Sequence, residues 1–248
     1  MKLSLPLNTS KLVDRYTNLV FGKKKIACPY FQNVSGKRFL TSAFSGKGLP
    51  KDIEKATRNI FLARKTKISN YTHDVIRFYM VMSGIGIDCS GFVTRIMDCF
   101  LHEKRLDGIH KIINPRITNP AQWLRLQLRP IANLSANTIS SNNLCNPILD
   151  LNLIKPGDLI RFGNYHVAII TEVYKTAGKV DKITYFHSTY DYHEQHGVRK
   201  GQIIFNKPNR GLEQQNWTES LRGQNWSLQD YLLASSNNRG VRRLKILI

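Results

Sequence analysis

Acidic residues are scarce in this chain. Seventeen Asp and Glu stand against 37 Lys and Arg, a formal net charge of +20 over 248 residues. A field of that sign draws polyanions: nucleic acid, anionic lipid, or the anionic polymers of a bacterial wall. Yet only Lys23-Lys24-Lys25 and Arg242-Arg243 cluster, and scattered charge is the pattern of a solvated surface. No zinc-finger or RNA-recognition signature marks a nucleic-acid reader. Cysteine is sparse too. The four, at 28, 89, 99 and 145, include no Cys-x-x-Cys pair, which argues against a structural zinc site. A disulfide between Cys28 and Cys145 stays open. No apolar run approaches about 18 residues, so no membrane span is expected. Met1 to Val13 is interrupted by Pro6, Asn8, Thr9 and Ser10 and lacks the unbroken apolar core of a signal peptide. That reading leaves the cytoplasm or a non-classical export route. No internal repeat is present.

What is there centres on Ile87-Asp88-Cys89-Ser90-Gly91-Phe92-Val93. Asp88 is a good N-cap, because its carboxylate can accept from unpaired N–H groups of a first helical turn. Phe92, Val93, Ile96, Met97, Phe100 and Leu101 then recur at helical spacing and form one apolar stripe. Cys89 falls on the first helical position, where the partial positive charge favours thiolate over thiol. A nucleophile suits that position. A small buried thiol at a helix start is the bland alternative.

A nucleophilic thiol needs a base. Lys155-Pro156-Gly157-Asp158 reads as a turn, followed by strands over 159–162 and 166–173 that are rich in Val and Ile. His166 opens the second strand, and a further strand over 183–189 carries His187. If the intervening hairpin bends at Thr176-Ala177, the two histidines face each other with Cβ atoms about 5 Å apart. A bend at Ala177-Gly178 makes them diagonal neighbours on the same face. In either register one ring can act as base while the other holds its tautomer.

Asp88-Cys89-Ser90-Gly91-Phe92, the Pro-Gly-Asp-Leu turn at 156–159, His166-Val167-Ala168-Ile169 and Phe186-His187-Ser188 together resemble the NlpC-type family of papain-like cysteine peptidases. The similarity covers roughly residues 70–205. It implies an α+β fold, with an antiparallel sheet and the cysteine helix packed against it. It implies hydrolysis of amide bonds in bacterial peptidoglycan stem peptides, with Cys89 as nucleophile, His166 as base and His187 as the orienting residue. It also implies substrate contacts from Asp88 and Ser90. The tyrosine that the family carries shortly before its cysteine has its nearest match in Tyr79. No cofactor and no metal are implied. Asp191 and His193 are next in line should the third residue lie elsewhere.

Residues 1–65 read as a basic N-terminal extension packed on a peptidase domain over 66–248, with an insertion near 103–150. Helices are expected over 51–65 and 73–82, and a short one from Asn119-Pro120 through Trp123 and Leu124. Residues 132–147 read as an exposed loop. His193-x-x-His196 could hold a metal only on a helix, which Gly197 interrupts at once. Trp217 and Trp226 could stack on a sugar or peptide or pack internally. Residues 241–248 have strand propensity and could close a sheet edge. Three other functions stay open. They are an amidase, acyltransferase or thioesterase on the same fold, a basic non-enzymatic polyanion binder, and an effector cutting a foreign target.

Overall fold

The computed structural model of the chain describes residues 1–32, 42–113, 120, 124, 131, 134–207 and 209–248. The expected helix opening at Asn119-Pro120 lies largely outside them. The fold is a mixture of helices and antiparallel sheet. Its centre is a long hairpin, β6 (His166–Thr176) and β7 (Lys179–Thr189). The hairpin turns on Ala177 and Gly178, both at positive φ (49° and 82°). Two such residues make the turn whose twist matches that of the strands it joins. Outward from β6 lie β5 (Leu159–Phe162), β10 (Arg239–Leu244) and β4 (Cys145–Pro147). Outward from β7 lie β8 (Gly197–Ile204) and β9 (Asn216–Trp217). β10 therefore sits between β4 and β5 and does not close an edge, in contrast to the expectation for the C-terminal segment. Arg243 explains its burial, since its guanidinium donates to both oxygens of buried Asp158 at 2.7 and 2.8 Å.

Successive residues of β6 point to opposite layers, as a strand requires. Val167 and Ile169 join a helical layer, while Ala168 and Ile170 join a second core with Tyr185, Trp217 and Tyr231. The helical layer is led by α4 (Cys89–Glu103), which packs on β6 and β7. Its apolar stripe is buried as the spacing foretold: Phe92, Val93, Ile96, Met97, Phe100 and Leu101 are each at most 3% exposed. Two further helices match the sequence reading, α2 (Pro50–Ala63) and α3 (His73–Met82). Shorter helices follow, α5 (Ile109–Ile113) and α6 (Ala136–Ile139). The second layer carries α7 (Trp226–Leu233). Among the described residues no helix is long and apolar enough to cross a membrane.

The segment read as an N-terminal extension is part of the main body. β1 (Lys2–Ser4) pairs with residues 172–174 of β6. α1 (Leu7–Thr17) packs against α4. β2 (Leu19–Phe21) and β3 (Lys24–Ile26) form a small hairpin. One apolar cluster runs from Leu5 through Phe61 to Ile76 and Leu101, so no boundary at 65/66 divides the packing. α1 lacks a side-chain cap of its own. Glu103, at the end of α4, supplies one by accepting from the N–H groups of Asn8 and Thr9 at 2.9 and 2.6 Å.

Tyr16 tests that integration. It is fully buried, meets the Phe92 ring edge-on at 5.4 Å and donates to the Gly48 carbonyl at 2.8 Å. Tyr16→Ala is expected to lower unfolding free energy by about 3–5 kcal/mol in a denaturant titration. A removable extension would leave the main transition where it was.

Candidate active site

Asp88 caps α4 as the sequence indicated, its carboxylate accepting from the Gly91 N–H at 2.6 Å. Cys89 is the first residue of the helix. Its backbone N–H lies outside the helical ladder, as do all N–H groups of a first turn. Its thiol donates to the carbonyl of Tyr165 at 3.5 Å, and the backbone amides of Val167 and Ser90 favour its anion. The sulfur thus meets the chain on both sides of His166, where β6 begins. β5 and β6 are joined there by a short loop that closes on the pair Phe162–His166, and Tyr165 on that loop is 90% exposed.

The hairpin bend at Ala177-Gly178 selects the diagonal arrangement of the two histidines. Register shifts fall between Ile170 and Glu172 and again between Tyr174 and Lys175. They cancel, so His166 and His187 share a face. His166 Nε2 and His187 Nδ1 are 2.7 Å apart. His187, 1% exposed, turns its Nε2 to the carboxylate of Glu219, 3.2 and 3.1 Å from the two oxygens. The same carboxylate accepts from Arg199 Nε at 2.8 Å, Tyr185 Oη at 2.9 Å and Ser227 Oγ at 2.8 Å.

This chain of contacts fixes the protons. A carboxylate only accepts, so His187 carries a proton on Nε2, and the neutral ring then presents Nδ1 as an acceptor. His166 must then carry its proton on Nε2, which leaves its Nδ1 as the basic nitrogen. Burial alone would push the Glu219 carboxyl upward. His187, Arg199 and Ser227 outweigh it and hold the group down at about 2. Burial, with His187 adding to it, holds His166 well below the ordinary imidazole value, so its ring is neutral. Phe162 walls the pair, edge-on to His166 at 4.9 Å and stacked on His187 at 6.3 Å.

The expectation of a resting thiolate is not met. Cys89 is only 6% exposed. Burial, then the Asp88 charge beside it, pushes its thiol up to about 12, against the opposing pull of Lys47 and the two backbone amides. Helix-start polarity does not overcome desolvation here. The resting thiol and the His166 imidazole are both neutral. All four cysteines are free, and Cys28 and Cys145 are buried rather than joined.

The other sequence candidates fall elsewhere. The Asp88 carboxylate and the Ser90 hydroxyl are buried and occupied: Lys47 donates from Nζ to both, at 2.9 Å to Asp88 Oδ1, and also to the Leu134 carbonyl at 3.0 Å. Tyr79 packs among Phe61, Tyr71 and Phe78, with the Arg64 guanidinium 4.3 Å above its ring. A second tyrosine, Tyr30, joins the segment that leads into the helix start. It bridges to Ile87, and burial followed by the charges of Cys89, Asp88 and Asp191 holds its phenol up. Asp191 accepts from Thr189 at 2.6 Å. His196 Nδ1 accepts from the Tyr30 N–H at 3.1 Å, while His193 meets the Trp226 ring at 5.6 Å, so the two histidines do not converge as a ligand pair. Trp217 is internal, its indole donating to the Leu212 carbonyl at 2.8 Å.

The sequence reading missed Glu219, Lys47 and Tyr30. Glu219 lies 32 residues beyond His187, in a stretch with no motif of its own. Lys47 lies in a segment read as irregular. Only the fold brings them in. Comparison of the chain with models of known families, with curated proteins and with solved structures returns no match.

Glu219 also predicts an acid response. Its folded-state value of about 2 lies below that of an ordinary glutamate, which is about 4.3 in an unfolded chain. A depressed carboxylate contributes stability above the unfolded value and loses it as pH falls through the folded one. Glu219→Gln should therefore be less stable than wild type at neutral pH, and the gap should close between about pH 4.3 and 2. Melting curves across that range check this. A gap independent of pH would show that the carboxylate's charge is not the cause.

Proposed function

We propose that this chain is a papain-like cysteine peptidase of the NlpC type that hydrolyses amide bonds in peptidoglycan stem peptides. One observation supports the reading above the rest: the hydrogen-bonded line from His166 through His187 to Glu219, beginning where the Cys89 sulfur meets β6. The stem-peptide substrate rests on the sequence resemblance, and the basic surface would suit an anionic wall.

In this mechanism His166 Nδ1 takes the proton of the Cys89 thiol as the sulfur attacks the carbonyl carbon. The resting thiol is neutral, so proton transfer accompanies attack. The charge that develops on the carbonyl oxygen is met by the Cys89 backbone N–H at the helix start. His166 then gives its proton to the departing amine, and the C–N bond breaks to leave a thioester on Cys89. Water, deprotonated by His166, releases the acid and restores the thiol. His187 does not itself take the thiol proton. It holds the His166 tautomer, and Glu219 holds that of His187. Asp88 and Ser90, bound to Lys47, shape the helix start. Amidase, thioesterase and acyltransferase chemistry would pass through the same thioester and differ in the acyl donor and acceptor.

Mass spectrometry of purified peptidoglycan after digestion tests the substrate. New stem-peptide fragments are expected with wild type and none with Cys89→Ala, and identical profiles would refute it. The roles separate by substitution. His187→Gln can still accept from His166 and donate to Glu219, so it should retain much of the turnover, whereas folded His166→Asn should have none. Equal loss in both would place the base at His187.

A further inference from the structure

The Asp88 cap creates an electrostatic difficulty for the residue next to it. A carboxylate at the N-cap satisfies the Gly91 N–H, but its negative charge also opposes ionisation of the neighbouring thiol. That carboxylate does not stand alone. The ammonium of Lys47, only 5% exposed, lies 2.9 Å from Asp88 Oδ1 and also donates to the Ser90 hydroxyl and the Leu134 carbonyl. Its three donors are thus used within one buried site. A buried lysine is costly unless paired, which makes its presence here informative.

The backbone around Lys47 is built to deliver it. Asp88 N–H donates to the Gly46 carbonyl at 3.0 Å, and Lys47 itself bridges to Ile87. Arg95, on the next turns of α4, donates to the Lys47 carbonyl at 2.9 Å. The approach is so close that a Cβ on Gly91 would lie 2.2 Å from the Gly46 oxygen. Gly46 has φ +75°, and a Cβ there would lie 2.5 Å from the Phe31 oxygen. Gly91 in the Asp-Cys-Ser-Gly stretch therefore has a physical reason: only glycine lets the 46–48 segment press Lys47 against the helix start.

We propose that Lys47 is a positioning residue for Cys89. It offsets the charge of the Asp88 cap, so that the carboxylate can hold the first turn of α4 while opposing the thiolate less than it would alone. The proposal rests on the reading of Cys89 as nucleophile, but its test reads the thiol directly and needs no substrate.

The test is the pH dependence of iodoacetamide alkylation at Cys89, followed by peptide mapping so that the other three cysteines are read apart. It is run on wild type, Lys47→Met and Lys47→Met/Asp88→Asn, each with a melting curve to establish folding. The single variant leaves the Asp88 charge uncompensated. Its Cys89 profile should move to higher pH by about one unit, with about tenfold slower alkylation at a fixed pH. The double variant removes both charges while Asn retains capping ability. Its profile should return toward that of wild type. A purely structural lysine predicts no such recovery, since the double variant lacks the same packing. A profile in folded Lys47→Met that overlays wild type would overturn the proposal. So would a double variant as displaced as the single one. If Lys47→Met alone fails to fold, the double variant decides: a profile near wild type supports charge compensation, and one displaced by a unit or more refutes it.

Discussion

The constraint on which the site depends is a carboxylate that must stay charged while out of water. Glu219 is nearly inaccessible, and an isolated buried carboxylate would take up a proton instead of remaining an anion. Four side chains prevent this: His187, Arg199, Tyr185 and Ser227 all turn donors to it. They come from β7, β8 and the start of α7. Three elements must therefore assemble before Glu219 can be an anion, and it must be an anion before the proton positions on His187 and His166 are settled. Arg199 lies directly across from His187 in the β7–β8 register, so one pairing sets two of the four partners of the carboxylate.

The cysteine side is arranged with an opposite bias. Cys89 enters from the helical layer, on the first turn of α4, and meets the sheet where β6 begins. Burial keeps its thiol protonated, which stabilises the resting state and protects the sulfur from adventitious chemistry. On the proposed reading, reactivity is induced during attack, by a neutral His166 whose tautomer is already fixed. The two halves are complementary: an inert thiol needs a prepared base, and a neutral buried imidazole needs no prior deprotonation.

Local chemistry made part of this legible in advance. The Asp88 cap and the stripe from Phe92 to Leu101 are properties of consecutive residues, and α4 formed as they dictate. The same holds for α3, for β5, and for the two histidines on one face, because either bend open to the sequence puts them there and the two register shifts cancel. What was not legible depends on distant partners. The first turn of α1 carries Asn8, Thr9 and Ser10, polar residues that gave no helix signal, and is capped by Glu103 from another helix. β10 reads as a basic edge strand until Asp158 and Asn142 receive its arginines. Lys47 and Glu219 are single residues without a motif. The family resemblance directed attention to Tyr79, while the fold brings Tyr30 to Ile87 at the helix start from a segment read as an extension.

The central claim is that Glu219, acting through His187, sets which nitrogen of His166 carries the proton. Nitrogen-15 NMR of histidine-labelled protein at neutral pH measures this directly. The account predicts a neutral His166 with Nε2 protonated and Nδ1 bare, a proton on His187 Nε2, and loss of that pattern in Glu219→Gln. A His166 ring protonated at Nδ1, or wild-type and Glu219→Gln spectra with the same histidine tautomers, would contradict it.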